Sequence, residues 1–455
     1  MNIKRIISLA AAASLSMAML ASCGSNDESS TSEKKDNSST AEAVVERIDG
    51  KGATIKVLTN RTDRLSQGGD GSMEERTKAF EEAFNCKVEY TGFTNYADDV
   101  SKMMTTKDYG DVLAIPDSVE LKDLGNFFEP LGTYDELKET YRWVDKKMYD
   151  KTVYGIATGG TATGILYNTK VWADAGITEL PKTPEEFLED LQKIKDKGEA
   201  IPYYTQFADA SWTIGQWSNL ILSASGDPNY NTGLLQNKND LFAEDGGYYK
   251  VFKLMYDVFS NKDVIEEDPT TTQWEASKEW MADGKIGTMV MGSWAISQFE
   301  EKAAGHEEDI GYMPAPFTVD GKQYAQTSAD YCLGVNKNSE NIELAKKYVE
   351  WFALESGYAF DEGMIPPAAN SELPNNLGNF KDCVLFEEEL APDELQGKFN
   401  EVDKGSEVGT FDGDAANFKI KLAEAAFAGK GEEGFKAIIE DCNKRWAETR
   451  DSVIK

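Results

Sequence analysis

The sequence predicts an α/β protein with chain enough for two domains, and three observations carry that prediction. Strand-like and helix-like segments alternate from Ala53 to Pro116. A polar tether ending at Gly50 is followed by about 400 residues, enough for two domains of ordinary size. Further along, apolar strands and well-capped helices continue to alternate, the pattern of layered α/β architecture.

The elements follow in order. Ala53 to Thr59 alternates as a β-strand does. Met73, Thr77, Phe80 and Phe84 recur at helical spacing. Lys87 to Tyr90 reads as a short strand, Tyr96 to Met104 as a helix, and Gly110 to Pro116 as a buried strand. Gly164 to Tyr167 is a further apolar strand. Thr183 is the expected N-cap of the next helix, with Pro184 at its first position and Glu186 placed for a capping box. That helix should run to Lys197 and stop at Gly198. Ile286 to Met291 reads as a strand and Ile342 to Phe352 as a helix.

The N-terminus has its own logic. Lys4 and Arg5 precede an apolar run from Ile6 to Leu20, shorter than a membrane span needs. Leu20-Ala21-Ser22-Cys23 follows, a secretory signal ending in small residues and a cysteine. It resembles the bacterial lipobox, which implies a signal over 1–22 and a diacylated Cys23. Residues 23–50 are polar and lack aromatics, so they are expected to form a disordered tether. The body should therefore lie outside the cytoplasm, lipid-anchored to the outer face of the cell membrane.

With 47 basic and 80 acidic residues the net charge is −33, which argues against nucleic-acid binding. The Cys residues beyond Cys23, namely Cys86, Cys332, Cys383 and Cys442, are widely spaced, and His306 is the only histidine. No metal site and no cofactor is expected; whether the cysteines pair is left open.

Several segments then recur in a familiar order. Asp111-Val112-Leu113 precedes Phe127-Phe128-Glu129-Pro130-Leu131, then Val153-Tyr154-Gly155-Ile156 and Gly164-Ile165-Leu166-Tyr167-Asn168. Leu180 to Phe187 and Gly284 to Trp294 follow, then Leu333-Gly334-Val335-Asn336 and Ala345 to Phe352. Together they resemble family 1 extracellular solute-binding proteins, the group of the maltose-binding protein. The resemblance implies a two-lobed periplasmic-binding-protein-like α/β fold, each lobe a mainly parallel sheet with flanking helices, joined by hinge strands. It places lobe one at 53–164 plus 331–365 and lobe two at 165–330 plus 366–455. Crossing strands are implied near Thr163 to Tyr167, Asp330 to Val335 and Met364 to Pro366. The implied function is capture of a sugar or oligosaccharide by a monomer and delivery to the transmembrane subunits of an ABC permease.

Sites in open α/β sheets lie beyond the carboxyl ends of strands. That rule selects the loops after Thr59, Ile115 and Val290 independently of any family. A pyranose offers an apolar C–H face to aromatic rings and a hydroxyl rim to groups that accept and donate hydrogen bonds. The first loop supplies Asn60, Arg61 and Asp63, and the second Asp117. Asp330 and Tyr331 lie on the second implied hinge. Trp212, Trp217, Trp274 and Trp294 stand where the resemblance puts stacking platforms. Other readings stay open: Trp217 is at core spacing with Leu220 and Ile221, Trp274 flanks a helix, and Asp117 is positioned to cap one.

A surface glycoside hydrolase is the competing class, since it too combines carboxylates with aromatics. The absence of a nucleophile elbow, P-loop or second histidine speaks against an enzyme. A structural adhesin would need neither hinge strands nor a tryptophan-rich cleft.

Overall fold

The alternating Thr-Ile-Lys-Val-Leu-Thr segment forms β1 (Thr54–Thr59). Ser72 then caps α1 (Met73–Phe84), accepting from the Glu75 N–H at 3.2 Å. Helix α1 buries Met73, Thr77, Phe80 and Phe84, the helical stripe visible in the sequence. Strand β2 (Lys87–Gly92), helix α2 (Tyr96–Met103) and strand β3 (Val112–Ala114) complete the expected alternation. The computed structural model describes residues 45–66, 72–209, 213–271, 273–410 and 417–454. The signal, Cys23, most of the tether and Trp212 lie outside the described residues.

The remaining elements used below are β4 (Phe128–Glu129), β5 (Ile156–Ala157), β6 (Gly160–Ala162), β7 (Ile165–Asn168) and α3 (Pro184–Lys197). After them come α4 (Gly247–Ser260), α5 (Trp274–Ala282), β8 (Thr288–Val290) and β9 (Ile310–Met313). Then follow β10 (Lys322–Ala329), β11 (Cys332–Asn336), α6 (Ile342–Leu354), β12 (Val384–Phe386), α7 (Phe418–Phe427) and α8 (Gly431–Val453).

The first sheet has six strands. β1 pairs in parallel with β2 and with β3. β11 returns antiparallel beside β3, and its other edge carries β4 and β5. Phe80 and Phe84 of α1 stack at 4.4 Å, and Phe80 meets Tyr348 and Trp351 of α6 at 5.3 and 5.2 Å. Residues of two separate stretches of chain, 45–156 and 333–364, thus share one core.

In the second sheet β7 lies between β8 and β9 and is antiparallel to both. The two-lobed α/β class stands, but a mainly parallel sheet does not describe this lobe. The reason is the path of the chain. β7 runs outward directly from β6, whereas β9 leads back into β10, which pairs with β6. Helices α4, α7 and α8 pack over a separate core that includes Trp172, Trp217 and Trp446.

Between the sheets, β6 pairs antiparallel with β10, Ala162 opposite Thr327 and Gly160 opposite Ala329. Gly160 also exchanges backbone hydrogen bonds with Ile365 at 2.8 and 2.9 Å. The paired segments lie a few residues before Thr163–Tyr167 and Asp330–Val335, because β7 and β11 are already interior strands of their own sheets.

Helix α3 forms as its caps dictate. The Thr183 hydroxyl accepts from the Glu186 N–H, the Glu186 carboxylate reaches back, and Gly198 ends the helix at φ 78°. Cys86, Cys332, Cys383 and Cys442 are free thiols. Among the described residues no helix is long and apolar enough to cross a membrane.

Candidate functional site

The loop after β1 delivers Asn60 and Arg61 beyond the carboxyl end of the strand, as the topology rule requires. Arg61 is held from three sides. Its Nη2 lies 2.8 Å from Asp63 and 2.9 Å from Glu362, and its Nη1 donates to the Tyr358 hydroxyl. Arg64 closes the cluster on Glu362 at 2.8 Å. Glu362 is only 8 % exposed, so it anchors both guanidinium groups from below. Burial works against the Arg61 charge, but Asp63, Tyr358 and Glu362 together hold it firmly protonated.

Four further groups gather around Arg61. Burial raises the Asp330 carboxyl, opposed by the Arg61 charge and reinforced by Asp117. Burial also raises the Tyr331 hydroxyl, with Asp330 adding to the shift and the neighbouring Asn60 side chain opposing it. Tyr331 nevertheless keeps 41 % of its surface open to solvent. Asp117 accepts from the buried Lys147 ammonium at 2.7 Å. Burial would raise its carboxyl, but the Lys147 contact prevails and leaves it below the ordinary range. Beneath this wall lies a small cavity of about 30 Å³ whose lining includes Thr59, Asn60, Arg61, Thr158, Tyr331 and Tyr358. The structure therefore brings Asn60, Arg61, Asp117, Asp330 and Tyr331 together, with Asp63 joined through Arg61.

Aromatics gather beside the second sheet. Trp294 follows β8 and lies 6.1 Å from Trp274, the rings tilted by 48°. Both are partly exposed. Gly292 makes this placement possible: a Cβ there would lie 2.6 Å from the Trp294 ring. The loop is tied to β6, since the Ser293 hydroxyl accepts from the Ala162 N–H at 3.0 Å. Trp274 packs edge-on against Phe299 at 5.6 Å and carries the Lys278 ammonium at 4.7 Å from its ring centre.

Trp217 is a correction. It is 2 % exposed and packs against Tyr203 at 5.8 Å and Phe259 at 6.1 Å, so no ring face is left for a ligand. Its spacing with Leu220 and Ile221 marks the core. Trp212 lies outside the described residues. Sequence reasoning missed Lys147, Thr158, Tyr358 and Glu362. Tyr358 and Glu362 reach Arg61 across 297 and 301 residues of chain, and no local pattern announces such contacts. Among the described residues no group of three or more His, Cys, Asp or Glu side chains is arranged to hold a metal ion.

One surface is polar and built around Arg61, the other is aromatic and built around Trp274 and Trp294, and β6 and β10 pair between the two sheets. Comparison with known proteins gives that arrangement its family. The model of the bacterial extracellular solute-binding proteins matches residues 66–359, more than half of the chain. The chain belongs to this family. A solute-binding protein of an ABC transporter from Bifidobacterium animalis subsp. lactis, solved with mannobiose, is 36 % identical over 88 % of this chain and 95 % of its own, with a TM-score of 0.75. A manno-oligosaccharide-specific solute-binding protein from the same organism, solved with mannotriose, is 34 % identical with the same coverage and TM-score. The diacetylchitobiose binding protein DasA of Streptomyces coelicolor is 31 % identical over 224 residues, 47 % of this chain. That match spans about half, 49 %, of the relative's own length. The sequence expectation of a carbohydrate-binding component of an ABC importer agrees with these solute-binding relatives.

Proposed function

We propose that the ligand is a short manno-oligosaccharide, a disaccharide or trisaccharide, bound between the two surfaces and handed to an ABC permease. The single observation carrying this reading is the 36 % identity across 88 % of the chain to a protein holding mannobiose. The chemistry is compatible. Asp117 and Asp330 offer carboxylate acceptors, Arg61 a fixed donor, and Tyr331 both a hydroxyl and a ring. Trp274 and Trp294 offer apolar faces of the size of a pyranose. The partial match to a diacetylchitobiose binder makes N-acetylated sugars the comparison ligands.

In the same reading the lobes are 53–164 plus 331–365 and 165–330 plus 366–455, and the paired segments at β6, β10 and Ile365 are the hinge. A ligand touching both lobes binds the closed form better than the open one, and that difference drives closure. Cys23 carries the lipid that keeps the protein at the outer face of the membrane, acting as a monomer. No reaction takes place at the site: it holds and releases.

A thermal-shift screen tests the ligand. Mannobiose and mannotriose should raise the melting temperature in proportion to log concentration, because they bind only the folded state. Stabilisation by diacetylchitobiose with none by either mannoside would move the assignment to the other class.

A further inference from the structure

Nine non-glycine residues among those described have positive φ. Seven are exposed, in turns and at helix ends; Gln206 and Trp143 are buried. Gln206 holds φ 54° at 1 % exposure, a conformation that costs stability for any side chain with a Cβ. Its backbone is clamped there. The buried Glu266 carboxylate accepts from the N–H of the preceding Thr205 at 2.9 and 3.1 Å, and the Gln206 carbonyl accepts from the Thr213 hydroxyl at 3.0 Å.

The side chain is burdened as well. Gln206 Nε2 donates to Ser277 Oγ at 2.7 Å. Ser277 Oγ in turn donates to the Trp274 carbonyl at 2.7 Å. The serine has one proton and spends it on Trp274, so it can only accept from Gln206. The amide orientation is thereby settled, and Oε1 is left buried with no partner. A buried acceptor without a donor is a second cost at the same residue. A glycine would meet the backbone requirement without either burden.

What the glutamine does hold is the start of α5. Gln273, the N-cap, makes no side-chain capping bond. The chain Gln206–Ser277–Trp274 therefore pins the first turn of α5, and Trp274 is the first residue of that helix. We propose that Gln206 is a positioning residue of the sugar site, fixing the Trp274 ring beside Trp294 through Ser277. This rests on the reading that the Trp274–Trp294 pair receives a sugar.

The test is a double-mutant cycle with Gln206→Gly and Trp274→Ala, read by calorimetric titration with mannotriose and by thermal melting without ligand. Gln206→Gly should melt close to wild type, because the strain and the orphan acceptor that disappear offset the lost packing and the lost hydrogen bond to Ser277. Its affinity should nevertheless fall about 3- to 10-fold, the effect of one lost neutral hydrogen bond on placement. In the Trp274→Ala background the same change should have no further effect. Unchanged affinity in Gln206→Gly overturns the inference. So does an equal loss in the Trp274→Ala background, or a loss matched by a lower melting temperature. Wild type that binds no mannoside fails the sugar reading itself, and this inference with it.

Discussion

Trp294→Ala separates a ligand platform from a core residue. In the protein the Trp294 ring is partly exposed, has its aromatic neighbour Trp274 at 6.1 Å, and stands over Gly292, which leaves the space it needs. Truncation removes that aromatic pair contact, worth about 0.5–1.5 kcal/mol to the fold. It also removes one stacking face for a sugar. Losing an aromatic platform of this kind costs about 1–3 kcal/mol of binding, or roughly 5- to 150-fold in Kd. The expected outcome is a melting temperature lowered by a few degrees with an affinity loss well beyond it. Trp217→Ala is the internal control. Buried between Tyr203 and Phe259, it should cost about 3–5 kcal/mol of stability and little affinity at a temperature where the variant stays folded. Titration calorimetry and differential scanning calorimetry on both variants give the four numbers. Unchanged affinity in Trp294→Ala would remove that ring from the site and refute the reasoning.

Three further outcomes are expected. Burial, with Asp145 beside it, pushes the Glu387 carboxyl up to about 7. A raised acid stabilises the fold below its ordinary pKa of 4.5, and that contribution is lost as pH climbs through 7. Glu387→Gln should therefore flatten the decline in melting temperature between pH 4.5 and pH 7, and an unchanged slope would mean the group does not titrate there. Cys23→Ala should abolish labelling by a radioactive fatty acid; a labelled variant would put the lipid elsewhere. Small-angle scattering should show a smaller radius of gyration with saturating mannotriose, whereas superimposable curves would describe a receptor that does not close.

Local chemistry was legible in the sequence, and long-range chemistry was not. The capping box of Thr183, Pro184 and Glu186 and the stop at Gly198 appear in the structure as read, because each needs only its near neighbours. The helix over Met73 to Phe84 follows from its apolar stripe for the same reason. Trp217 defeats periodicity, since a ring at helical spacing with Leu220 and Ile221 fits a core and a platform alike until its neighbours are known. The antiparallel second sheet depends on where β7 enters from β6, a property of the chain's path rather than of any segment. Glu362 and Lys147 each look like one more surface charge in a sequence of 47 basic and 80 acidic residues. Only the fold shows them buried, one beneath Arg61 and the other beneath Asp117.

The central claim is that this solute-binding protein takes a short manno-oligosaccharide between its lobes. Titration of the wild-type protein with mannotriose tests it most directly, with diacetylchitobiose titrated under the same conditions. Saturable one-to-one heat is expected with mannotriose, and far weaker binding with diacetylchitobiose. Flat mannotriose and mannobiose titrations from folded protein would contradict it, all the more if diacetylchitobiose saturates.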